Sequence, residues 1–287
     1  MKKLIFTLLV ALTVITACED NDTPANNGKR LPIPFSKIQL SENSPYEAGV
    51  PTVTTTQTYS YAQGQLTDFT TVQSYTVQGE QMKIENTTSV AYNEHEAVVT
   101  DDSGNVSTYL LNDKGYATQC TRQEVSTIRT YTFSYFISPE GKHYLENITE
   151  SVNGKVYAFI DMDYSNYQAL RVTQKVDTYE QAYTATTPSN NGIANQSEVP
   201  CVFFEGLYPL SLHSAALYGK LLGEPFGILI DQVIPDGNTA SKEVTKYTYS
   251  FDKRNIITSC KEVINSYGTN SVSYTHLRAH ETGAYLV

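Results

Sequence analysis

Few places in this chain set out side chains that could do chemistry together. His276 and His280 stand four residues apart with Glu281 beside the second, a spacing that on a helix offers two imidazoles and a carboxylate to zinc. Asp161, Asp163 and Ser165 place oxygen atoms at alternate positions, as a calcium loop does, but the loop's glycine and its distal bidentate glutamate are missing from their places. His213 follows Cys201 and Tyr208 closely and is the one internal histidine with acid–base company; tying a helix to a strand through hydrogen bonds is its expected role. Glu94, His95 and Glu96 read as a solvated turn, and Gly219, Lys220 and Gly223 lack the strand-loop-helix setting of a phosphate cradle. A glycosidase needs two carboxylates ~5–9.5 Å apart, and no pair is marked out. Nucleophile elbows, dinucleotide fingerprints and His-Glu-x-x-His helices are not present in the sequence. We therefore expect no catalytic residue, no metal site and no cofactor, with the binding residues left unassigned.

The ends of the chain are more specific. Lys2 and Lys3 precede an apolar run over residues 4–15, too short to span a bilayer comfortably, and Ile15-Thr-Ala-Cys18 closes it. This segment resembles the signal peptide and lipobox of bacterial lipoproteins. That resemblance implies removal of residues 1–17 and lipidation of Cys18, where two or more acyl chains hold a protein on a bilayer. Glu19, Asp20 and Asp22 resemble the acidic surface-export signal of Bacteroidetes lipoproteins. They favour the outer face of the outer membrane over the periplasmic one. At the other end, residues 272–282 resemble one translated frame of a sequencing-library transposon adapter over eleven consecutive positions. Residues 272–287 are accordingly set aside as an artefact tail, and the zinc-like histidines go with them.

Without Lys2, Lys3, Arg278 and Glu281, 17 basic residues face 29 acidic ones, a net charge of about −12. Such a surface argues against nucleic acid or anionic lipid as a partner. Twenty-two tyrosines, no tryptophan and abundant threonine point to strands.

Five prolines punctuate residues 18–55, which read as a flexible tether. From residue 56 to 271 short alternating runs are separated by turn signals: Gln63-Gly64, Gln78-Gly79, Ser103-Gly104, Lys114-Gly115, Glu140-Gly141 and Asn153-Gly154. This predicts one mainly β domain, a large antiparallel meander of hairpin repeats forming an open sheet or a barrel. Asp113 to Cys120 parallels Asp252 to Cys260, with one extra residue expected in the second turn. In the strand around Asp161, alternation sets Val156, Ala158, Ile160, Met162 and Tyr164 on one face. Near 209–222 the spacing turns helical, opened by Pro209 and stopped by Gly223, a short insert that packs on the sheet or plugs its end. Cys120, Cys201 and Cys260 allow one disulfide or none.

The lipobox, the Tyr-x-Tyr-x-Phe-Asp-Lys hairpins (Tyr247 to Lys253) and the Pro209-Leu-x-Leu-His-Ser-Ala-Ala-Leu-Tyr218 helix together resemble a family of Bacteroidetes lipoproteins. That family is a domain of unknown function with a porin-like, β-rich fold, and the resemblance covers about residues 56–271. It implies a fold and an envelope location. The expected function is non-catalytic: a lipoprotein held on the membrane through Cys18 that binds a glycan or a protein, or plays a structural part. The rival is a secreted hydrolase using a carboxylate pair. A membrane-spanning barrel would need apolar residues facing lipid along ~9–11-residue strands; the Thr, Gln, Asn and Glu at alternate positions oppose it.

Overall fold

The computed structural model describes residues 37–43, 51–77, 79–166, 169–187, 192–237, 244–264 and 268–275. Cys18, the acidic residues after it, and His276, His280 and Glu281 lie outside these. The strands in chain order are β1 (Lys37–Asn43), β2 (Pro51–Ala62), β3 (Gln65–Val77), β4 (Glu80–Tyr92), β5 (Glu96–Asp101), β6 (Val106–Leu111), β7 (Ala117–Gln123) and β8 (Ile128–Ile137). They continue with β9 (His143–Val152), β10 (Lys155–Asn166), β11 (Ala169–Val176), β12 (Tyr179–Thr186), β13 (Gln232–Pro235), β14 (Thr245–Phe251), β15 (Ile257–Ile264) and β16 (Gly268–Thr275). Each pairs antiparallel with its chain neighbours, and β1 pairs with β16, so the meander closes into a barrel.

The turns explain the meander. Four of them share one design: Asp101, Asn112, Ser138 and Asp252 each donate their backbone N–H to the carbonyl of the residue four positions on. The side-chain oxygen of each first residue also accepts from the backbone N–H of the last. The fourth residue is left-handed in every case (Gly104, Gly115, Gly141 and Asn255), which glycine and asparagine adopt at least cost. The two similar segments are thus in step. Residues 112–116 and 252–256 form turns of equal length, Asn112 matching Asp252 and Gly115 matching Asn255, and the expected extra residue does not exist.

Two boundaries move. The tether expected over 18–55 yields residues 37–43 and 51–55 to the sheet, since β1 and the start of β2 pair with each other. Pro51 is tolerated there as the first residue of a strand. At the far end β16 carries the pairing to Thr275, across the boundary placed at residue 271.

A barrel of sixteen strands is wide enough to leave a channel unless something fills it. Here the connection from β12 to β13, described over residues 192–231, fills it. It carries 3-10 turns at Val202–Gly206 and Leu210–His213 and a five-residue helix α1 (Ser214–Tyr218). The expected helix over 209–222 is therefore broken and shorter, and it lies inside the barrel. Phe204, Leu207, Leu210, Ala216, Tyr218, Leu221 and Leu222 pack in one core with wall residues such as Tyr59, Tyr109, Tyr131, Ile148, Ile160 and Tyr247. Backbone bonds pin its return path, Ala117 N–H donating to Leu221 O (2.8 Å) and Glu224 N–H to His143 O (2.7 Å). Gly223 ends the helical stretch at φ +85°, and a Cβ there would sit 2.6 Å from His143 O.

The outer wall is polar. Along β7 and β8, Thr118, Thr121, Thr132 and Ser134 are exposed while Ala117, Cys120, Tyr131 and Phe133 are buried. Along β14, exposed Lys246, Thr248 and Ser250 flank buried Tyr247. A lipid-facing barrel needs the opposite phase, and Arg or Lys at its midplane costs ~2–4 kcal/mol. This wall is built for water. In β10 the predicted face holds for Ala158, Ile160, Met162 and Tyr164, all buried. Val156 is exposed because a bulge separates it from Ala158.

Candidate binding mouth and the charged network beneath it

Strand alternation gives the barrel two ends. The filling segment leaves after Thr186 and returns at Gln232 on the same end, where Lys37 pairs with Thr275; this is the proximal mouth. The distal mouth carries the β5–β6, β7–β8, β9–β10 and β11–β12 turns.

Just inside the distal mouth lies a chain of alternating charges. Arg122 and Arg129 sit directly opposite each other on β7 and β8, an arrangement that is destabilising for like charges unless a counterion joins them. Glu124 does so, accepting from Arg122 Nε at 3.1 Å and from Arg129 Nε at 3.2 Å. Arg122 also donates to Asp101 (3.1 Å) and to buried Ser107 (3.1 Å). Arg129 donates to Glu150 at 2.7 Å and to the Tyr208 hydroxyl at 3.3 Å. Glu150 is fully buried, and its Oε1 also accepts from Tyr208 (3.0 Å) and Tyr131 (3.3 Å). Tyr208 belongs to the filling segment, so the network fastens that segment to the wall at its deepest point.

Electrostatics follow the bonding. Burial pushes the Asp101 carboxyl up, but hydrogen bonds from Asn105 and Arg122 outweigh it and hold the group below its ordinary range. Glu124 is likewise lowered, burial being overcome by Arg122 and Arg129. The Arg129 guanidinium is raised, chiefly by its bond to Glu150. One layer further in, His213 Nδ1 meets the Tyr109 hydroxyl at 2.7 Å, and its ring stands edge-on to Tyr131 (centroids 4.4 Å apart) and Phe133. Burial, with Arg122 adding to it, lowers the His213 pKa to about 3, so the imidazole is neutral. It ties segment to strand, as expected.

The remaining candidates scatter. Asp161 and Asp163 are exposed on the outer face of β10, and His95 and Glu94 are exposed in a turn. Lys220 is paired with Glu198 rather than facing an anion. Cys120, Cys201 and Cys260 are free thiols, their pKa values pushed up to about 12 by burial. Burial, with the neighbouring Glu262 adding to it, holds the Glu205 carboxyl above its usual range. Glu205, however, rides on the filling segment, and its oxygens accept from Tyr218 and from Gln57. At the proximal mouth Pro139, Glu140, Tyr144, Phe226, Gly227 and Ile228 line an open cleft of ≈ 280 Å³.

Nothing in the sequence spacing groups Asp101, Arg122, Glu124, Arg129 and Glu150. One signal was there: alternation puts Arg122 on the face of Cys120, Arg129 on that of Tyr131, and Glu150 on that of Ile148. Charges in the core-facing phase are rarely left unpaired.

A rim of apolar side chains surmounts this network. Val125 (100%), Val156 (57%), Ile128 (55%), Tyr157 (40%) and Tyr179 (58%) are exposed at the distal turns or strand ends, and Tyr157 meets Tyr208 edge-to-face at 6.4 Å.

Residues 59–259 match the family described as a domain of unknown function (DUF4595) with porin-like fold. The chain belongs to this family. Among solved structures, a porin-like protein from Bacteroides uniformis is similar over 84% of this chain and 97% of its own, at 54% identity and a TM-score of 0.76. A porin-like protein from Bacteroides vulgatus shares the fold at 9% identity and a TM-score of 0.54, over 85% of this chain and 98% of its own. No curated protein matches the chain. In this DUF4595 chain the porin likeness lies in strand pairing and order, while the wall carries the polarity of a water-soluble protein.

Proposed function

We propose that this chain is a lipid-anchored envelope protein with a non-catalytic binding role, taking a glycan or a protein at its distal mouth. The observation that carries the reading is the placement of the exposed apolar rim at the end opposite Lys37. The chain joins the barrel at the proximal mouth, so a lipid on Cys18 holds that end toward the membrane. Residues 18–37 reach at most about 65 Å when fully extended. The rim then points away from the membrane, where Tyr157 and Tyr179 offer flat apolar area with a polar tip, suited to stacking on sugar rings or packing on a protein. The family's porin-like fold and the similar porin-like protein from Bacteroides uniformis support an envelope setting, and the acidic residues after Cys18 favour the outer surface.

The test is a glycan array and an envelope-protein capture with the purified body and its Tyr157→Ala/Tyr179→Ala variant. Binding lost in the variant, with unchanged thermal unfolding, supports the reading. Equal binding by both proteins overturns the site, and capture of proteins with a blank array removes the glycan arm. Incorporation of labelled palmitate, abolished by Cys18→Ala, checks the anchor, and protease treatment of intact cells reads the face. The rival hydrolase draws on the raised carboxyl of Glu205, whose place on the filling segment, bonded to Tyr218 and Gln57, suits a structural role better. Turnover of any polysaccharide that Glu205→Gln abolishes would revive it.

A further inference from the structure

Among the described residues, the pairing of β4 leaves a long stretch of its edge uncovered. β3 and β4 pair without a bulge from Asp68 opposite Ser89 to Val77 opposite Glu80, whereas β5 reaches β4 only as far as Asp101 opposite Thr88. Residues 80–87 therefore project beyond the distal mouth with one side unpaired, and all eight are exposed. Soluble proteins blunt such edges with charged side chains, proline, bulges or a cover, and of these the stretch carries charge at Glu80, Lys83 and Glu85. Glu80-Gln-Met-Lys-Ile-Glu-Asn-Thr87 has no proline or glycine and pairs regularly with β3. Its two central charges, Lys83 and Glu85, share a face and flank Ile84, near enough to contact each other at 2.6 Å within the chain.

We infer that this edge pairs with the same edge of a second copy, antiparallel about a two-fold axis through Ile84. In that register Lys83 of each copy lies opposite Glu85 of the other, Gln81 opposite Thr87, Met82 opposite Asn86, and Ile84 opposite Ile84. Moving the axis to Lys83 or to Glu85 sets like charges against each other, which is unfavourable. The seven paired positions, 81–87, fit between the turn at Gly79 and the point where Asp101 takes over Thr88. The stretch is thus self-complementary in charge, in side-chain face and in length. An isologous contact of this kind closes on itself as a dimer and does not propagate. A single strand edge sits at or below the ~1,200 Å² of the smaller specific interfaces, so the dimer is of roughly micromolar strength.

Sedimentation of the purified chain from residue 18 onward, carrying Cys18→Ser, tests this over roughly 1–100 μM, the range bracketing that strength. Lys83→Glu and Glu85→Lys should each weaken the dimer about tenfold, since two facing pairs become repulsive. The double reversal should restore it, which a merely structural role for either residue would not do. Under mild oxidation Ile84→Cys should crosslink copy to copy, whereas Gln81→Cys, which faces Thr87, should not. A monomer throughout the range with no crosslink at position 84 overturns the inference, as does failure of the double reversal to restore association.

Discussion

Arg129→Met isolates what the distal network contributes. The side chain donates to Glu150 at 2.7 Å, Glu124 at 3.2 Å and Tyr208 at 3.3 Å. Methionine of similar bulk removes all three bonds and strands a carboxyl that has no exposed surface. Breaking a buried pair from one side costs ~3–5 kcal/mol. Urea unfolding at pH 7, followed by tyrosine fluorescence, should show a deficit of ~3–5 kcal/mol. Adding Glu150→Gln to Arg129→Met should recover part of that loss, because a neutral amide needs no counterion. A deficit below ~1 kcal/mol, or no recovery in the double variant, would refute the view that Arg129 compensates a buried charge.

Gly223→Ala places a Cβ 2.6 Å from His143 O at φ +85°, so it should cost ~1–3 kcal/mol and loosen the filling segment, read as faster proteolysis within 187–231. His213, with a pKa of about 3 in the fold against ~6.5 unfolded, gives stability that is complete above that unfolded value. It is lost as pH falls from there toward 3; His213→Gln should flatten this limb of a melting-temperature profile while keeping a partner for Tyr109. Asp101 and Glu124 are both held below their ordinary range. Their contribution is present above pH ~4 and disappears on further acidification. Asp101→Asn should therefore lower stability at pH 7 and reduce the acid dependence followed by circular dichroism.

The hairpins were legible because their information is local. Asn112, Gly115, Asp252 and Asn255 each name a turn conformation that few other residues adopt cheaply, and the tyrosines and threonines between turns alternate in the strand period. The match to the DUF4595 family over 59–259 spans this same locally readable part. Closure was not legible, because β1 pairs with β16 from the opposite end of the chain with no turn between them to announce it. The strand residues 37–43 and 51–55 looked like a tether for the same reason. The filling segment was visible as a helix-like interval beginning at Pro209. That it sits inside the barrel depends on wall residues as distant in sequence as Tyr61 and Tyr249, whose hydroxyls donate to Tyr218 O and Ile230 O. The charged network draws single residues from four strands and their turns, so no spacing could announce it; only the strand phase of Arg122, Arg129 and Glu150 hinted at it.

Strand order alone does not decide what a closed sheet of sixteen strands faces. Successive side chains point to opposite sides, so a change of phase by one residue exchanges lumen and exterior along a whole strand. In a membrane pore the apolar set faces lipid and the polar set lines water. Here Tyr247, Tyr131 and Ile148 take the inside, and Lys246, Thr132 and Thr149 are turned away from the core. An apolar lumen of this width would be a void unless filled, and voids forfeit the contacts that stabilise a core. The long connection after β12 meets that need, at the cost of carrying polar backbone and Glu205, Tyr208 and His213 into the interior. Each of these side chains has a wall partner, in Gln57, Glu150 and Tyr109 respectively. The interior is thereby committed to packing. Among the described residues, the surfaces left to meet other molecules lie at the ends of the barrel: the apolar distal mouth with the bare β4 edge beside it, and the proximal cleft.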